Sequence, residues 1–299
     1  GMMFAMFGYI WFMMTPVQDI LSMQYSYATA KAALNRINKI LELKLEENGT
    51  LKLNSNVIGV DIKIENLYFS YIKDKPLLRN ISLDIKAKEK VALIGASGSG
   101  KTTLAQIISG FYVKKSGGIH YNDISIDLID KQSLRNSIFL VLQMPILFNN
   151  TLRFNITMGN ENIDDEEIFR ALNIAQLEDM ISNTIDGLDT IVGKHGMRLS
   201  GGQRQRLSVA RMIISNPSIV IFDESTSALD VHTEINLFNA LKPILENKTV
   251  ITIAHRLSTV KNAHKIFVLD DGKLVQSGTH NELEFEEGHY QDFLKNQLV

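Results

Sequence analysis

Hydrophobic positions fall into three regimes along the chain. From Met2 to Met14, MMFAMFGYIWFMM, no residue carries a charge. A helix of that length, rising about 1.5 Å per residue, covers only roughly 20 Å of the about 30 Å of hydrocarbon in a bilayer. From Val17 to Leu45 the pattern changes. Leu34, Ile37, Leu41 and Leu45 recur at spacings of three and four, with Lys31, Arg36, Lys39 and Lys44 between them, which predicts an amphipathic helix. Pro16, between the two stretches, reads as a kink rather than a stop. EENGTLKLNSN, Glu46 to Asn56, reads as a linker with Asn-Gly as its turn signal.

In the third regime short apolar runs alternate with helical patterns. VDIKIENLYFSY and ISLDIK read as edge strands. KVALIG is a short buried strand that runs into a glycine-rich loop and the helix KTTLAQIISG. Further apolar runs follow at IFLVL, IVIFD, TVITIA and KIFVLD. Such runs, with helices between them, imply a mostly parallel sheet buried on both faces. From Thr151 to Asn216 the character is helical, which predicts a subdomain inserted in the α/β core. The expected division is therefore a helical segment over 1–45, a linker over 46–59 and a domain over 60–299 that holds the helical insert at 151–216.

Composition narrows the functional classes. Hydrophobic residues make up 45% of the chain, ample for a core, and the formal net charge is −2. With no run of five or six basic residues, there is no electrostatic case for nucleic acid as a partner. The absence of cysteine excludes disulfides and thiolate metal sites and fits a cytoplasmic compartment. The apolar start is no secretory signal, because the first basic residue is Lys31.

Candidate chemistry sits at strand ends. GASGSGKT, Gly95 to Thr102, fits G-x-x-x-x-G-K-[ST]. Its glycines let backbone N–H groups face phosphates, Lys101 adds positive charge and Thr102 offers a hydroxyl to Mg²⁺. The helix that starts there points its positive dipole end at the anion. IVIFDE, Ile219 to Glu224, ends in two carboxylates at the rim where a parallel sheet presents its ligands. Asp223 can reach the hydration shell of Mg²⁺, and Glu224 can orient and deprotonate an attacking water. Gln143, after IFLVL, and His255, after TVITIA, end their strands in the same way. LSGGQRQR, Leu199 to Arg206, opens a second helix with a serine and two glycines, another start built to meet an anion. An ordinary Ser N-cap accounts for the same residues. Two phosphate-binding helix starts in different subdomains suit two copies arranged head to tail better than one.

With these motifs the chain resembles the nucleotide-binding domain of an ATP-binding cassette (ABC) transporter, and more narrowly of an exporter-type half-transporter. GASGSGKT is similar to the family's Walker A motif, LSGGQ to its signature, IVIFDE to its Walker B and SALD, Ser227 to Asp230, to its D-loop; Gln143 and His255 fall at the Q- and H-loops. LQMPILFNNTLRFNI resembles an exporter pattern after the Q-loop, and TIVGKHG an exporter loop before the signature. Lys194 stands there in place of a usual glutamate, and Met144 where an acidic residue is frequent.

The resemblance implies an α/β fold: a P-loop NTPase core of mostly parallel sheet with antiparallel edge strands, a helical insert and a preceding N-terminal helix. It implies ATP and Mg²⁺ as cofactors and ATP hydrolysis as the activity. The implied catalytic residues are Glu224, His255 and Gln143, and the implied metal ligands are Thr102, Gln143 and Asp223. Nucleotide would be bound by Tyr71, stacking on adenine, by Gly95, Ala96, Ser97, Gly98, Ser99, Gly100, Lys101, Thr102 and Thr103, and by Ser200, Gly201, Gly202, Gln203 and Asp230. The implied partners are a second nucleotide-binding domain, identical or not, and a transmembrane domain at the cell membrane, with this domain on the cytoplasmic side. Met2–Met14 would then be the cytoplasmic end of a last transmembrane helix, and Gly1 a cloning remnant. Alternatives are a soluble ABC ATPase acting on nucleic acid or ribosomes, an importer's separate ATPase subunit, and a regulatory module that binds ATP without turnover. Near-neutral charge, the exporter-type loops and the apolar start oppose the first. The importer subunit would normally lack a fused membrane helix, and Glu224, His255 and Gln143 oppose the third.

Overall fold

The computed structural model describes residues 1–53, 59–182, 184–193, 199–223, 230–254 and 256–297. It divides into two compact units, Gly1–Glu47 and Asn48–Val299.

The first unit is a single helix, Met2–Leu41, of 40 residues, about 60 Å long at the usual rise. Pro16 lies inside it. The missing proline N–H removes one helical hydrogen bond, and the chain continues through the gap, as the sequence pattern predicts. The amphipathic pattern extends to Leu45, but the helix stops at Leu41, where Glu42 N–H donates to Asn38 O at 2.8 Å and Leu43 N–H to Ile40 O at 3.2 Å. Leu43 and Leu45 find nothing apolar to pack on and are exposed, so periodicity alone does not carry the last turn. No residue of this helix is buried. Among the described residues no helix is long and apolar enough to cross a membrane.

The second unit is built on two sheets. Strands β1 (Ile62–Phe69), β2 (Leu78–Ile85), β4 (Ser116–Tyr121) and β5 (Ile124–Ser125) form an antiparallel sheet in the order β2-β1-β4-β5. Strands β3 (Lys90–Ile94), β6 (Ile138–Val141), β7 (Ile219–Asp223), β8 (Thr249–Ile253), β9 (Lys265–Asp270) and β10 (Lys273–Gly278) form the second sheet, in the order β10-β9-β3-β8-β7-β6. All its pairings are parallel except β9 with β10, which are joined through Asp271-Gly272. Both turn residues have positive φ, 40° and 72°, as a tight Asp-Gly hairpin requires.

The parallel strands read as continuous apolar runs because both faces are covered. Leu104, Ile107 and Ile108 of the Lys101–Ile108 helix pack in one core, shared with the antiparallel sheet. The Leu152–Thr157, Asp165–Ile174, Gly201–Ser215 and Val231–Leu245 helices contribute to a second core. Register aligns the carboxyl ends: Asp223 pairs with Ile253, Phe222 with Val141 and Leu93 with Ile253. The residues that follow these strands therefore emerge on one rim.

Part of the stretch predicted as linker is seated on this unit. Leu51 N–H donates to Leu128 O at 2.9 Å, and Asp130 N–H returns to Leu51 O at 2.7 Å. The Asn48 amide bonds Asp130 Oδ1 at 2.9 Å, and Leu53 is 3% exposed. A polar, turn-bearing stretch gives no hint of this docking, because its partners lie some eighty positions away.

Candidate functional site

Strand β3 delivers the glycine loop to the rim. Gly95 takes φ 148°, and a Cβ there would lie 1.9 Å from Leu269 O, so the loop turns against β9 only with glycine. At Gly98 (φ 80°) no neighbour lies within 4 Å of a notional Cβ; backbone conformation alone requires the glycine. Gly100 caps the Lys101–Ile108 helix. Lys101 is 5% exposed and folds back over the loop, donating to Gly95 O at 2.8 Å and Ala96 O at 2.9 Å. The Ser99 hydroxyl is buried without a partner among the described residues.

Two of the three predicted metal ligands, Thr102 and Asp223, lie together. The Thr102 hydroxyl donates to Asp223 Oδ1 at 3.1 Å across 121 positions of sequence, and Asp223, ending β7, is 5% exposed. A hydroxyl and a carboxylate beside a glycine cradle are hard oxygen donors of the kind Mg²⁺ takes alongside phosphate oxygens. The cleft next to them, about 270 Å³, is lined by Leu77, Ser97, Gly98, Gly100, Lys101, Thr102 and Thr103. That is small for a whole ligand and suits a phosphate chain whose base lies outside.

An aromatic edge stands where such a base would emerge. The Tyr71 hydroxyl is 3.0 Å from Thr103 Oγ1. Its half-exposed ring meets Phe69 edge-on at 4.9 Å and Tyr112 at 5.2 Å between centroids. The charge and hydrogen bond of Tyr71 hold the Tyr112 phenol above its usual range.

The signature stretch lies at the head of the Gly201–Ser215 helix. Ser200 Oγ accepts from Gln203 N–H at 3.1 Å, and Gln203 Oε1 accepts from Ser200 N–H at 2.8 Å, a reciprocal capping box. The N-cap reading is thus realised, and it uses an acceptor lone pair of the serine rather than its O–H. Leu207 and Ala210 are fully buried, Ile213 nearly so and Ile214 partly, as the stripe predicts. Gly201, Gly202 and Gln203 are half-buried. Among the described residues no hydrogen bond joins Ser200 or Gln203 to the glycine loop. Asp230 caps the Val231–Leu245 helix, accepting from Thr233 N–H at 3.0 Å, and hydrogen bonds from Thr233 hold its carboxyl below the usual range. Gln143, exposed just past β6, accepts at its carbonyl from Gln205 Nε2 at 3.1 Å. Glu224 and His255 lie outside the described residues, as do Lys194 and Ser227–Leu229.

The sequence reading assigned no functional role to Gln205, Asn155 or Arg211. Asn155 is fully buried; its amide donates to Phe148 O and Thr151 O at 3.0 and 2.9 Å, and its Oδ1 accepts from Phe148 N–H at 2.8 Å. Arg211, 9% exposed, donates to Ile146 O at 2.8 Å, to Asn155 Oδ1 at 2.9 Å and to Asn155 O. Burial lowers its pKa to about 10. No local pattern marks a contact between residues 56 to 65 positions apart.

A buried parallel strand, a glycine loop closed by lysine and threonine, and an aspartate on a nearby strand end bonded to that threonine define a P-loop nucleotide-binding protein. Residues 78–227, half of the chain, match the ABC transporter family, and the chain belongs to it; as a member it binds ATP. It is 41% identical over 285 residues to the lactococcin-G-processing and transport ATP-binding protein LagD of Lactococcus lactis subsp. lactis, covering 95% of this chain and 40% of that one. Against an ATP-dependent lipid A-core flippase of Legionella pneumophila (strain Paris) the identity is 39%, over 94% of this chain and 48% of the flippase. Among solved structures it is similar to a bacterial Atm1-family ABC exporter with ATP bound, with a TM-score of 0.84 and 32% identity over 94% of this chain and 50% of that one. The chain spans about half the length of these relatives or less. The exporter-type resemblance and the α/β P-loop fold drawn from sequence are borne out.

Proposed function

We propose that this chain is the ATP-hydrolysing motor of an exporter, working as one of two head-to-tail domains beneath a membrane domain. The observation that carries the reading is the hydrogen bond from Thr102 to Asp223 beside the glycine cradle: two oxygen ligands preset at the place where the loop would hold phosphates. Lys101 exchanges the carbonyls of Gly95 and Ala96 for phosphate oxygens, and the Lys101–Ile108 helix adds its positive end. Mg²⁺, held by Thr102, Asp223 and Gln143, would neutralise charge on the transferring phosphoryl group. Tyr71 stacks on the base. Glu224 orients the water and takes its proton, and His255 contacts the transferring phosphoryl group.

Ser200, Gly201, Gly202 and Gln203 stand at the head of a helix of 15 residues, long enough to bring a strong dipole end to a phosphate, and they serve a second copy's nucleotide, with Asp230 at the same junction. Closure of the two copies and reopening after hydrolysis is the motion passed to a membrane domain at the cytoplasmic face of the cell membrane. The test is the size of Glu224→Gln in solution with and without ATP, alongside phosphate release by the unmodified chain. The reading expects an ATP-dependent dimer and turnover that rises faster than linearly with protein concentration. A monomer whose turnover is linear in concentration would refute the two-copy site.

A further inference from the structure

The Asn-Gly pair at 48–49 is a turn signal that the nucleotide site leaves unused, and it occurs once in the sequence. The structure seats it on the head of the Lys131–Ser137 helix. Asn48 Nδ2 donates to Asp130 Oδ1 at 2.9 Å, and Asn48 Oδ1 accepts from Lys131 N–H at 2.7 Å, so both polar atoms of the side-chain amide are held. Asp130 in turn caps that helix, accepting from Ser133 N–H at 2.8 Å. Beyond Asn48 the seat continues. Leu51 shares backbone bonds with Leu128 and Asp130, the Ser133 hydroxyl donates to Leu53 O at 3.0 Å, and the Leu53 side chain is buried. At Gly49 a Cβ would lie 2.1 Å from the Leu128 carbonyl carbon, so only glycine lets the stretch lie this close.

That glycine has a second consequence. Asparagine counts among the thermolabile residues, and a following glycine leaves its side-chain amide open to the next backbone nitrogen, because no Cβ shields the approach. Here the Gly49 nitrogen would bond to Asn48 Cγ, and its proton would leave with Nδ2 as ammonia, closing a succinimide ring. Water then adds across one imide bond and leaves aspartate or isoaspartate at the position. Overall one water enters, one ammonia departs, and nothing is oxidised or reduced. Closing the ring means turning Cγ onto the Gly49 nitrogen, and the two bonds to Asp130 and Lys131 oppose that turn.

We propose that Asn48 is a self-modification site, and that its conversion makes the release of residues 48–53 from the Lys131–Ser137 helix permanent. Seated, the stretch protects the amide; lifted, it offers the amide to Gly49. Once converted, a carboxylate stands where Nδ2 stood, so a donor to Asp130 has become an acceptor. The Asn48 bond is the first reason that the Asp130 carboxyl lies below its usual range, with Lys52 also acting on it. Mutual support thus turns into like-charge repulsion, with Lys52 facing two carboxylates. Isoaspartate goes further and adds a carbon to the backbone where Gly49 already lies against Leu128. Asn48 opens the second unit, so tension carried along the chain from the helical segment is borne first by this clasp. The nucleotide cradle takes no part in it.

The test is incubation of the full chain at pH 7.4 and 37 °C, with digestion and mass spectrometry following conversion at position 48. Conversion should run at least about tenfold slower than in the free peptide Glu46–Leu53, the equivalent of one neutral hydrogen bond. Asp130→Asn keeps an N-cap of equal quality and removes the acceptor for Nδ2; conversion should speed up several-fold. Gly49→Ala is the converse. Its methyl unseats the stretch, so hydrogen exchange at the Leu51 and Lys131 amides should rise, yet the added Cβ should keep conversion slower than in Asp130→Asn. Asn48→Asp makes the product directly and should raise exchange at the same two amides by up to about tenfold. Binding of a fluorescent ATP analogue should stay within about twofold.

Conversion as fast in the chain as in the peptide would overturn the proposal, because the clasp would then protect nothing. Equal rates in the unmodified chain and Asp130→Asn would do the same. If Asn48→Asp leaves the Leu51 and Lys131 amides as protected as before, the modification releases nothing and the proposal fails. It fails too if binding of the ATP analogue falls in step with the rise in exchange, since the change would then loosen the whole domain and not this seat.

Discussion

Replacing Arg211 by methionine keeps the aliphatic stem of a buried side chain and deletes its guanidinium. The structure sets the size of the effect. Three hydrogen bonds from a charged donor are lost, to Ile146 O, Asn155 O and Asn155 Oδ1, each contributing about 1.5–3 kcal/mol. Against this stands the cost of keeping the charge inside. Burial lowers the pKa from 12.5 to about 10, which at about 1.4 kcal/mol per pH unit amounts to about 3 kcal/mol. Ile146 O belongs to an exposed residue and can turn to water, whereas Asn155 is fully buried, so its carbonyl is left unpaired. The balance is a loss on the order of 3–4 kcal/mol. For a chain of this size that corresponds to about 10 °C in melting temperature. Urea unfolding at equilibrium, with thermal melts alongside, measures it, and Arg211→Lys should recover only a small part because an ammonium cannot span all three acceptors. A fall of less than about 2 °C would mean that desolvation cancels the bonds and that the loop after Gln143 is held by something else.

Gly95→Ala and Gly98→Ala should separate clash from strain. The first drives a methyl into Leu269 O and should abolish soluble folded protein. The second meets nothing within 4 Å and should cost only about 1–2 kcal/mol of left-handed strain, a few degrees in a thermal melt; equal losses would refute the distinction. Acid titration should read the docking of residues 48–53. A hydrogen bond from Asn48, followed by the Ser133 N–H, holds the Asp130 carboxyl below its usual range. A depressed carboxylate stabilises the fold above its unfolded pKa and loses that contribution as pH falls through the folded value. Asn48→Ala should therefore move the acid-unfolding midpoint, followed by circular dichroism, to higher pH; an unmoved midpoint would show that the stretch is not fastened there.

Strands whose burial is two-sided could be read directly: KVALI, IVIFD, TVITI and KIFVLD are mostly apolar because both faces are covered. SGGIHY and KLVQSG, which became β4 and β10, could not. Two glycines and an alternation of half-buried positions give them no distinctive period, and their pairing with β1 and β9 supplies what their composition lacks. At the site, the glycine loop and Asp223 were legible because phosphate and Mg²⁺ chemistry restricts residue type locally. The bond between Thr102 and Asp223 follows from strand order, which the sequence does not spell out. Gln205, Arg211 and Asn155 were invisible for a different reason: inside an amphipathic helix or a turn, an amide or guanidinium that reaches across the fold looks like any solvated polar residue.

The order of strands in the parallel sheet bears on how the chain is made. Strand β8 lies between β3, which carries the glycine loop, and β7, which carries Asp223, yet it is the last of the three to be synthesised. Both residues of the Thr102–Asp223 pair therefore precede, in sequence, the strand that spaces them. In the finished sheet Thr249–Ile253 pairs with both neighbours, and Thr102 and Asp223 stand at 3.1 Å beyond it. The contact between Thr102 and Asp223 is thus a long-range one, made by residues 121 positions apart on either side of a strand that comes later in the chain.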